Sequence, residues 1–315
     1  MATILIVNCK PRRCGVYQFG WNLHGALSTP YDCCVASSCT DGGYQSFRGK
    51  CGKHTLLYEA CGHEPRFLDE ADLVIWNHHP ATMGWLNSSI TDKKPSLLIV
   101  HDTIYPWSKQ TFYLHCDPTF QEDERHLRIG RPVPKPLMVQ PEVIPNSIGS
   151  FGFGFPNKGF EDLVLRVNEE YDEAIIRLNI PYNDSVDGDG VNAFLTAQRC
   201  FSLAKPGISC YITHDYLGER DLLFWLAQNE VNAFLYKDND SKGLASAVDW
   251  AIAARRPFAV SGLQMFRHVH NVAPANKSLK QTVADGIEPF TPLYWVCEQQ
   301  ALLYDLERII KRVLG

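Results

Sequence analysis

The chain has 315 residues, 45% of them hydrophobic and 21% charged, which predicts a folded protein of two domains or one large one and excludes a disordered chain. Its formal net charge of −5 contains no block of like charge, which argues against a large nucleic-acid footprint. The basic cluster Arg125, Arg128, Arg131 and Lys135 is too sparse for a binding stripe and reads as a solvated loop.

Residues Ala2 to Val7 are too few for a signal-peptide core and have no basic residue before them, so they predict a buried first strand. No apolar run approaches the roughly 20 residues a membrane helix needs, so no integral membrane segment is expected. Gly15 to Leu27 sets Val16, Phe19, Leu23 and Leu27 at helical spacing, entered through the loop from Lys10. The eleven cysteines include no Cys-x-x-Cys pair, so a zinc cage is not indicated. Cys33, Cys34, Cys39, Cys51 and Cys61 are irregularly spaced, and without a leader they are expected as reduced thiols in a cytoplasmic protein. Asp72 to Trp76 and Ser96 to Val100 predict further strands. Strands separated by helical material argue for a parallel α/β sheet, in which ligands bind beyond the carboxyl ends of the strands. That singles out Asn77, His78 and His79 after one strand, and His101 and Asp102 after another. From Pro106 to Pro145 seven prolines predict a long loop and an interdomain linker.

Near the centre, an apolar run to Ile148 enters Gly149-Ser150-Phe151-Gly152-Phe153-Gly154-Phe155-Pro156-Asn157-Lys158-Gly159, and an amphipathic segment follows from Glu161 to Asn168. Strand, glycine-rich turn and helix start in that order favour an anion, since free N–H groups and the helix dipole meet at the turn and Lys158 adds a charge. The turn has neither the Gly-Lys-Ser/Thr of a Walker loop nor a true Gly-x-Gly-x-x-Gly, so a nicotinamide dinucleotide is not supported. The second half then alternates: strand at Glu173 to Leu178, helix at Asn192 to Leu203, strand at Ile208 to Ile212, helix at Asp221 to Gln228 and strand at Val231 to Tyr236. A helix from Gly243 to Ala254, a strand at Phe258 to Val260 and a helix from Glu298 to Val313 complete the pattern. Gly243, Leu244, Ala245 and Ser246 form a second anion-ready helix start, small enough for a ligand to approach the backbone. Two such starts suit a diphosphate. Asp187-Gly188-Asp189 reads as a turn rather than a metal loop, and no Gly-x-Ser-x-Gly elbow supports a hydrolase triad.

The two cradles resemble the nucleotide-sugar domain of GT-B-fold glycosyltransferases, above all the large retaining family with a Glu-x7-Glu signature. Lys158 and Gly159 match that family's strand–glycine–lysine–glycine–helix unit, and Gly243, Leu244, Ala251, Ala253 and Pro257 match its later motif in order. Gly15-Val16 is similar to its acceptor-side glycine loop, Asp72 to His78 to its strand ending in an active-site histidine, and Val100-His101-Asp102 to another of its strand ends. The resemblance implies an α/β chain with two Rossmann-like domains facing across a cleft, the GT-B architecture. Residues 1–140 form the acceptor domain, including the irregular 106–145 region; 146–290 form the nucleotide-sugar domain; 291–315 are a C-terminal helix packing back on the first.

It also implies metal-independent, retaining transfer of a sugar from a UDP- or GDP-type donor to a hydroxyl. The acceptor is a glycan, a lipid-linked molecule or a small molecule, and no separate cofactor is required. The implied catalytic residues are His78 and Asp249. The implied donor contacts are Gly15, Gly152, Lys158, His214, Asp215, Tyr216, Gly243, Leu244, Ala245, Ser246 and Arg267. The chain departs from the family at two places. Phe153 stands where an arginine is usual, so Arg177, Arg256 or Arg267 is expected to supply the second charge. The two glutamates fall on Lys242 and Trp250, with Asp240 and Asp249 as the nearby acids. A nucleotide-sugar epimerase of the same fold and a non-catalytic binding protein are the alternative readings.

Overall fold

The computed structural model describes residues 2–9, 15–41, 44–51, 54–56, 68–78, 83–101, 111–182, 190–237, 243–296 and 299–315. The chain divides into two compact units, Met1–Pro132 with Val296–Gly315, and Val133–Trp295.

The first unit is built on β1 (Thr3–Asn8), α1 (Gly15–Leu27), β2 (Asp32–Asp41), β3 (Tyr44–Cys51), β4 (His54–Leu56), β5 (Leu73–Trp76), α2 (Ser88–Thr91), β6 (Ser96–Val100), β7 (Thr111–His115) and β8 (His126–Arg128). Its sheet has the order β4-β3-β2-β1-β5-β6-β7-β8, with β1 parallel to both β2 and β5. Leu73 to Trp76 is apolar and buried throughout, as a strand covered on both faces requires. Successive residues of β1 serve opposite faces. Ile4 and Ile6 pack with Phe19, Leu23 and Leu27 of α1 and with Leu302, Leu306, Ile309 and Ile310 of the C-terminal helix Gln299–Leu314. Leu5 and Val7 pack with Val74, Trp76, Met83 and Ile90.

Two expectations are corrected here. The span from Pro106 to Pro145 contains β7 and β8; its prolines flank these strands without interrupting them, and Tyr113 and Leu114 are buried in the sheet. The thiols are not uniformly reduced: Cys34 is disulfide-bonded, whereas Cys33, Cys200 and Cys210 are free thiols. The antiparallel return of β3 along β2 brings the backbone of Cys51 opposite Cys34, which irregular spacing alone does not reveal. Burial pushes the Cys33 and Cys200 thiols up to about 12, so neither is a nucleophile near neutral pH. Cys61 lies outside the described residues. Among the described residues no helix is long and apolar enough to cross a membrane.

The second unit runs β9 (Ile144–Phe151), a 3-10 turn (Pro156–Lys158), α3 (Phe160–Glu170), β10 (Ala174–Asn179), α4 (Val191–Leu203), β11 (Ile208–Thr213), α5 (Glu219–Ala227), β12 (Asn229–Phe234), α6 (Ala247–Ala254), β13 (Phe258–Val260), α7 (Leu279–Asp285) and α8 (Thr291–Val296). The five strands are parallel in the order β11-β10-β9-β12-β13. One face buries Ile148, Ile176, Leu178 and Val231 under Phe160, Leu163, Val164 and Val167 of α3. On the other, Leu222, Leu223 and Leu226 of α5 meet Ala253 and Ala254 of α6. The chain winds outward from β9 through β10 to β11 and then returns to the other side of β9 with β12 and β13. The switch point of this sheet therefore lies between β9 and β12.

Candidate functional site

Gly152, with φ 145°, turns the chain out of β9. A Cβ there would lie 3.5 Å from Cδ and Cε of Lys158, whose aliphatic stem passes over the glycine. Gly159 follows in the left-handed region (φ 64°), where a Cβ would come within 1.8 Å of the Leu235 carbonyl oxygen. The residue must be glycine for α3 to start this close to the end of β12. Lys158 Nζ donates to the Tyr236 hydroxyl at 3.1 Å and lies 4.2 Å from the centre of its ring. Tyr236, just beyond β12, is 5% exposed and stands edge-on to Phe234 and Phe266. An ammonium following β9 and a phenol following β12 thus meet across the switch point, at the strand ends where open α/β sheets receive ligands.

The second cradle is tied to the same place. Ala245 N–H donates to the Met265 carbonyl at 3.0 Å, which fastens the segment to the 3-10 turn Gln264–Phe266. The helix begins at Ala247 rather than Gly243, so Gly243, Leu244, Ala245 and Ser246 form the loop ahead of it. Asp249 lies buried in the first turn of α6. Arg267 closes the 3-10 turn and donates through Nη1 to the Gln264 carbonyl at 2.7 Å.

On the other side of β9 the strand ends are joined by Asn179, a buried residue that sequence reasoning missed; its only signal is its place as the last residue of a strand. Its carbonyl accepts from Gly152 N–H at 3.0 Å. Its Nδ2 donates to Thr213 Oγ1 at 2.9 Å and to the Asp215 carbonyl at 3.0 Å. His214 donates through Nδ1 to the Ile180 carbonyl at 2.8 Å and packs on Phe194 with ring centres 4.6 Å apart. A neutral His214 therefore carries its lone pair on Nε2. Tyr216 is 45% exposed.

Two of the three arginines considered for the second charge stand elsewhere. Arg177, midway along β10, is buried against the Trp225 ring and donates to Asn229 Oδ1 at 2.7 Å and Gln228 Oε1 at 3.0 Å; burial lowers its pKa. Arg256 precedes β13, at the opposite end of the strands from Lys158, and donates to the Ala227 carbonyl at 2.6 Å. Only Arg267 follows the carboxyl end of a strand.

In the first unit a buried polar chain crosses the point where the strand order reverses. Asn77 Nδ2 donates to Asn8 Oδ1 at 2.6 Å and to the Val16 carbonyl at 2.7 Å. Its Oδ1 accepts from His101 Nε2 at 2.6 Å, while Asn8 Nδ2 donates to the Tyr17 carbonyl at 3.0 Å. These bonds lock the start of α1 onto β1 and β5. The lock needs Gly20, because a Cβ there would meet the Asn8 amide at 2.5 Å. His78 is buried beside Asn77, and Gly15 is exposed at the start of α1. His79, Asp102, Asp187, Asp189, Asp240 and Lys242 lie outside the described residues, as does the loop 10–14. Among the described residues no three His, Cys, Asp or Glu side chains are grouped to hold a metal.

No protein-family model and no curated protein sequence matches the chain. Solved structures do. The chain is similar to AviGT4, a glycosyltransferase involved in avilamycin A biosynthesis, at 13% identity over 100% of this chain and 98% of that one, with a TM-score of 0.65. It is similar to Anabaena HepE in complex with UDP and glucose at 10% identity over 100% and 99%, with a TM-score of 0.63. It is also similar to trehalose-6-phosphate synthase OtsA at 9% identity over 99% of each chain, with a TM-score of 0.62. At such identities the likeness shows the fold: an α/β chain with two Rossmann-like sheets, of the GT-B class expected from the sequence.

Proposed function

We propose that the protein is a glycosyltransferase that moves a sugar from a nucleoside-diphosphate sugar to a hydroxyl acceptor. The observation that carries this reading is the Lys158–Tyr236 contact across the switch point between β9 and β12. The second unit holds the donor: the diphosphate lies against Gly152, Lys158 and the loop Gly243 to Ser246, with Arg267 nearby and the nucleoside toward His214, Asp215 and Tyr216. UDP is the favoured carrier, since HepE and an α-glucosyltransferase of the same fold are described in complex with it. The first unit supplies the acceptor side, with His78 and Gly15, and takes a glycan, a lipid-linked molecule or a small molecule.

As the bond from the anomeric carbon to the diphosphate breaks, negative charge grows on the leaving oxygens. Lys158 and the N-terminal dipoles of α3 and α6 stabilise that charge without a metal. The acceptor oxygen bonds to the anomeric carbon and gives up its proton to the departing diphosphate oxygen. Retention of configuration and a role for Asp249 rest on the family resemblance. Trp250 at the position of the family's second glutamate favours one other reading, a donor-binding protein without turnover.

Thermal unfolding with UDP, GDP, ADP and CMP and their sugar conjugates tests the proposal. A nucleotide at a hundred times its dissociation constant stabilises the fold by about 2.7 kcal/mol. No shift with any of them overturns the reading. Lys158→Ala is expected to remove most of the shift. Release or transfer of the sugar identifies the transferase, interconversion of the donor an epimerase, and an intact bound donor the binding protein.

A further inference from the structure

A departing diphosphate presents several acceptor oxygens, more than the Lys158 ammonium alone can satisfy. The Tyr236 oxygen accepts a hydrogen bond from Lys158, so its own O–H must point to another acceptor. Among the described residues nothing accepts it, although Tyr236 is 5% exposed and buried tyrosine hydroxyls ordinarily find a partner. Arg177 and Arg256 are committed to other carbonyl and amide oxygens, Arg267 donates to the Gln264 carbonyl within its own turn, and Phe153 brings no charge. The ring of Tyr236, wedged between Phe234 and Phe266, also carries the Lys158 ammonium 4.2 Å from its centre. The cation is therefore held beside the phenol by attraction to the ring as well as by the hydrogen bond.

We propose that Tyr236 is the second donor of the anion site: its O–H and the Lys158 ammonium grip one phosphate group of the diphosphate. This rests on the donor-binding reading above and deepens it. A pair made only of donors suits a phosphate, which only accepts, and it rejects cations. It carries a single charge, so the site depends on the direction of the phenolic O–H where a second guanidinium would act at longer range.

Calorimetric titration of the full-length protein with UDP and with inorganic pyrophosphate tests the pair in wild type, Tyr236→Phe, Lys158→Met and the double variant. Tyr236→Phe is expected to weaken both ligands about tenfold with the melting temperature unchanged. The double variant is expected to lose less than the two single losses added, because both groups serve one phosphate. Equal UDP binding by wild type and Tyr236→Phe overturns the pair and leaves the transferase reading standing. Pyrophosphate binding that depends on Tyr236, with no nucleotide bound by wild type, keeps the pair and overturns the transferase reading. Binding of neither ligand by wild type overturns both. Should Tyr236→Phe melt early, 13C-tyrosine NMR of the wild type decides: pyrophosphate is expected to shift the Tyr236 Cζ resonance, and an unmoved resonance overturns the pair.

Discussion

Gly159 concentrates the site's dependence on local geometry in one residue. It combines φ 64° with a carbonyl oxygen 1.8 Å from any added Cβ, so neither rotation nor a small shift accommodates a side chain. Gly159→Ala is expected to destabilise the protein by at least about 2 kcal/mol and to abolish the nucleotide-dependent thermal shift, because Lys158 moves with the turn. A variant with wild-type melting and wild-type response refutes this account. Lys158 itself was legible in the sequence, since a lone lysine in a glycine-rich turn is a local pattern. Tyr236 was not, because it stands 78 residues further on and only the parallel pairing of β9 with β12 brings it alongside.

A second residue effect concerns pH. His115 Nε2 and His126 Nδ1 are 3.0 Å apart, and the His115 ring stacks on Phe120 with centres 3.7 Å apart. Burial first and then His126 push the His115 pKa down to about 4, against the opposing pull of Asp117 and Asp123. In the unfolded chain a histidine takes its proton near 6.5. Between those values the unfolded state binds more protons, so this stabilisation is whole above about pH 6.5 and is lost as the pH falls toward 4, by at most about 1.4 kcal/mol per pH unit. Denaturant unfolding at pH 7 and pH 5 is expected to show a larger loss for wild type than for His115→Gln. Identical losses contradict the assignment.

At the scale of elements, the C-terminal helix was the easiest to read. Leu302, Leu306, Ile309 and Ile310 fall on one stripe and are buried against β1 and α1. Leu306→Ala is expected to cost about 2–5 kcal/mol in equilibrium unfolding, as for other fully buried leucines. A loss under 1 kcal/mol is incompatible with this packing. The start of α6 was misplaced because Gly243 to Ser246 fit helical spacing, yet the Ala245 N–H is engaged by Met265. The strand Thr111–His115 was hidden among prolines and lacks a clean alternation because both its faces are covered; its position beside β6 makes it a strand. The antiparallel β3 and β4 were missed because short, largely polar segments carry little periodic signal.

At the scale of the whole molecule, composition, the alternation of strand and helix, and the anion-ready turn after β9 are local properties. Backbone sterics and short-range hydrophobic periodicity express them wherever the segment lies, so the sequence by itself determined the α/β class, most of the elements and the glycine-rich turn that carries Lys158. Strand order, the two switch points and the partners that meet there depend on which surfaces bury against one another at long range. Only the tertiary structure decided that Arg177 and Arg256 are engaged elsewhere, that Asn179 joins three strand ends, that Asn8, Asn77 and His101 form one buried chain, and that Tyr236 reaches Lys158. Each of those contacts is made between residues that the parallel sheets bring together and that the sequence keeps far apart.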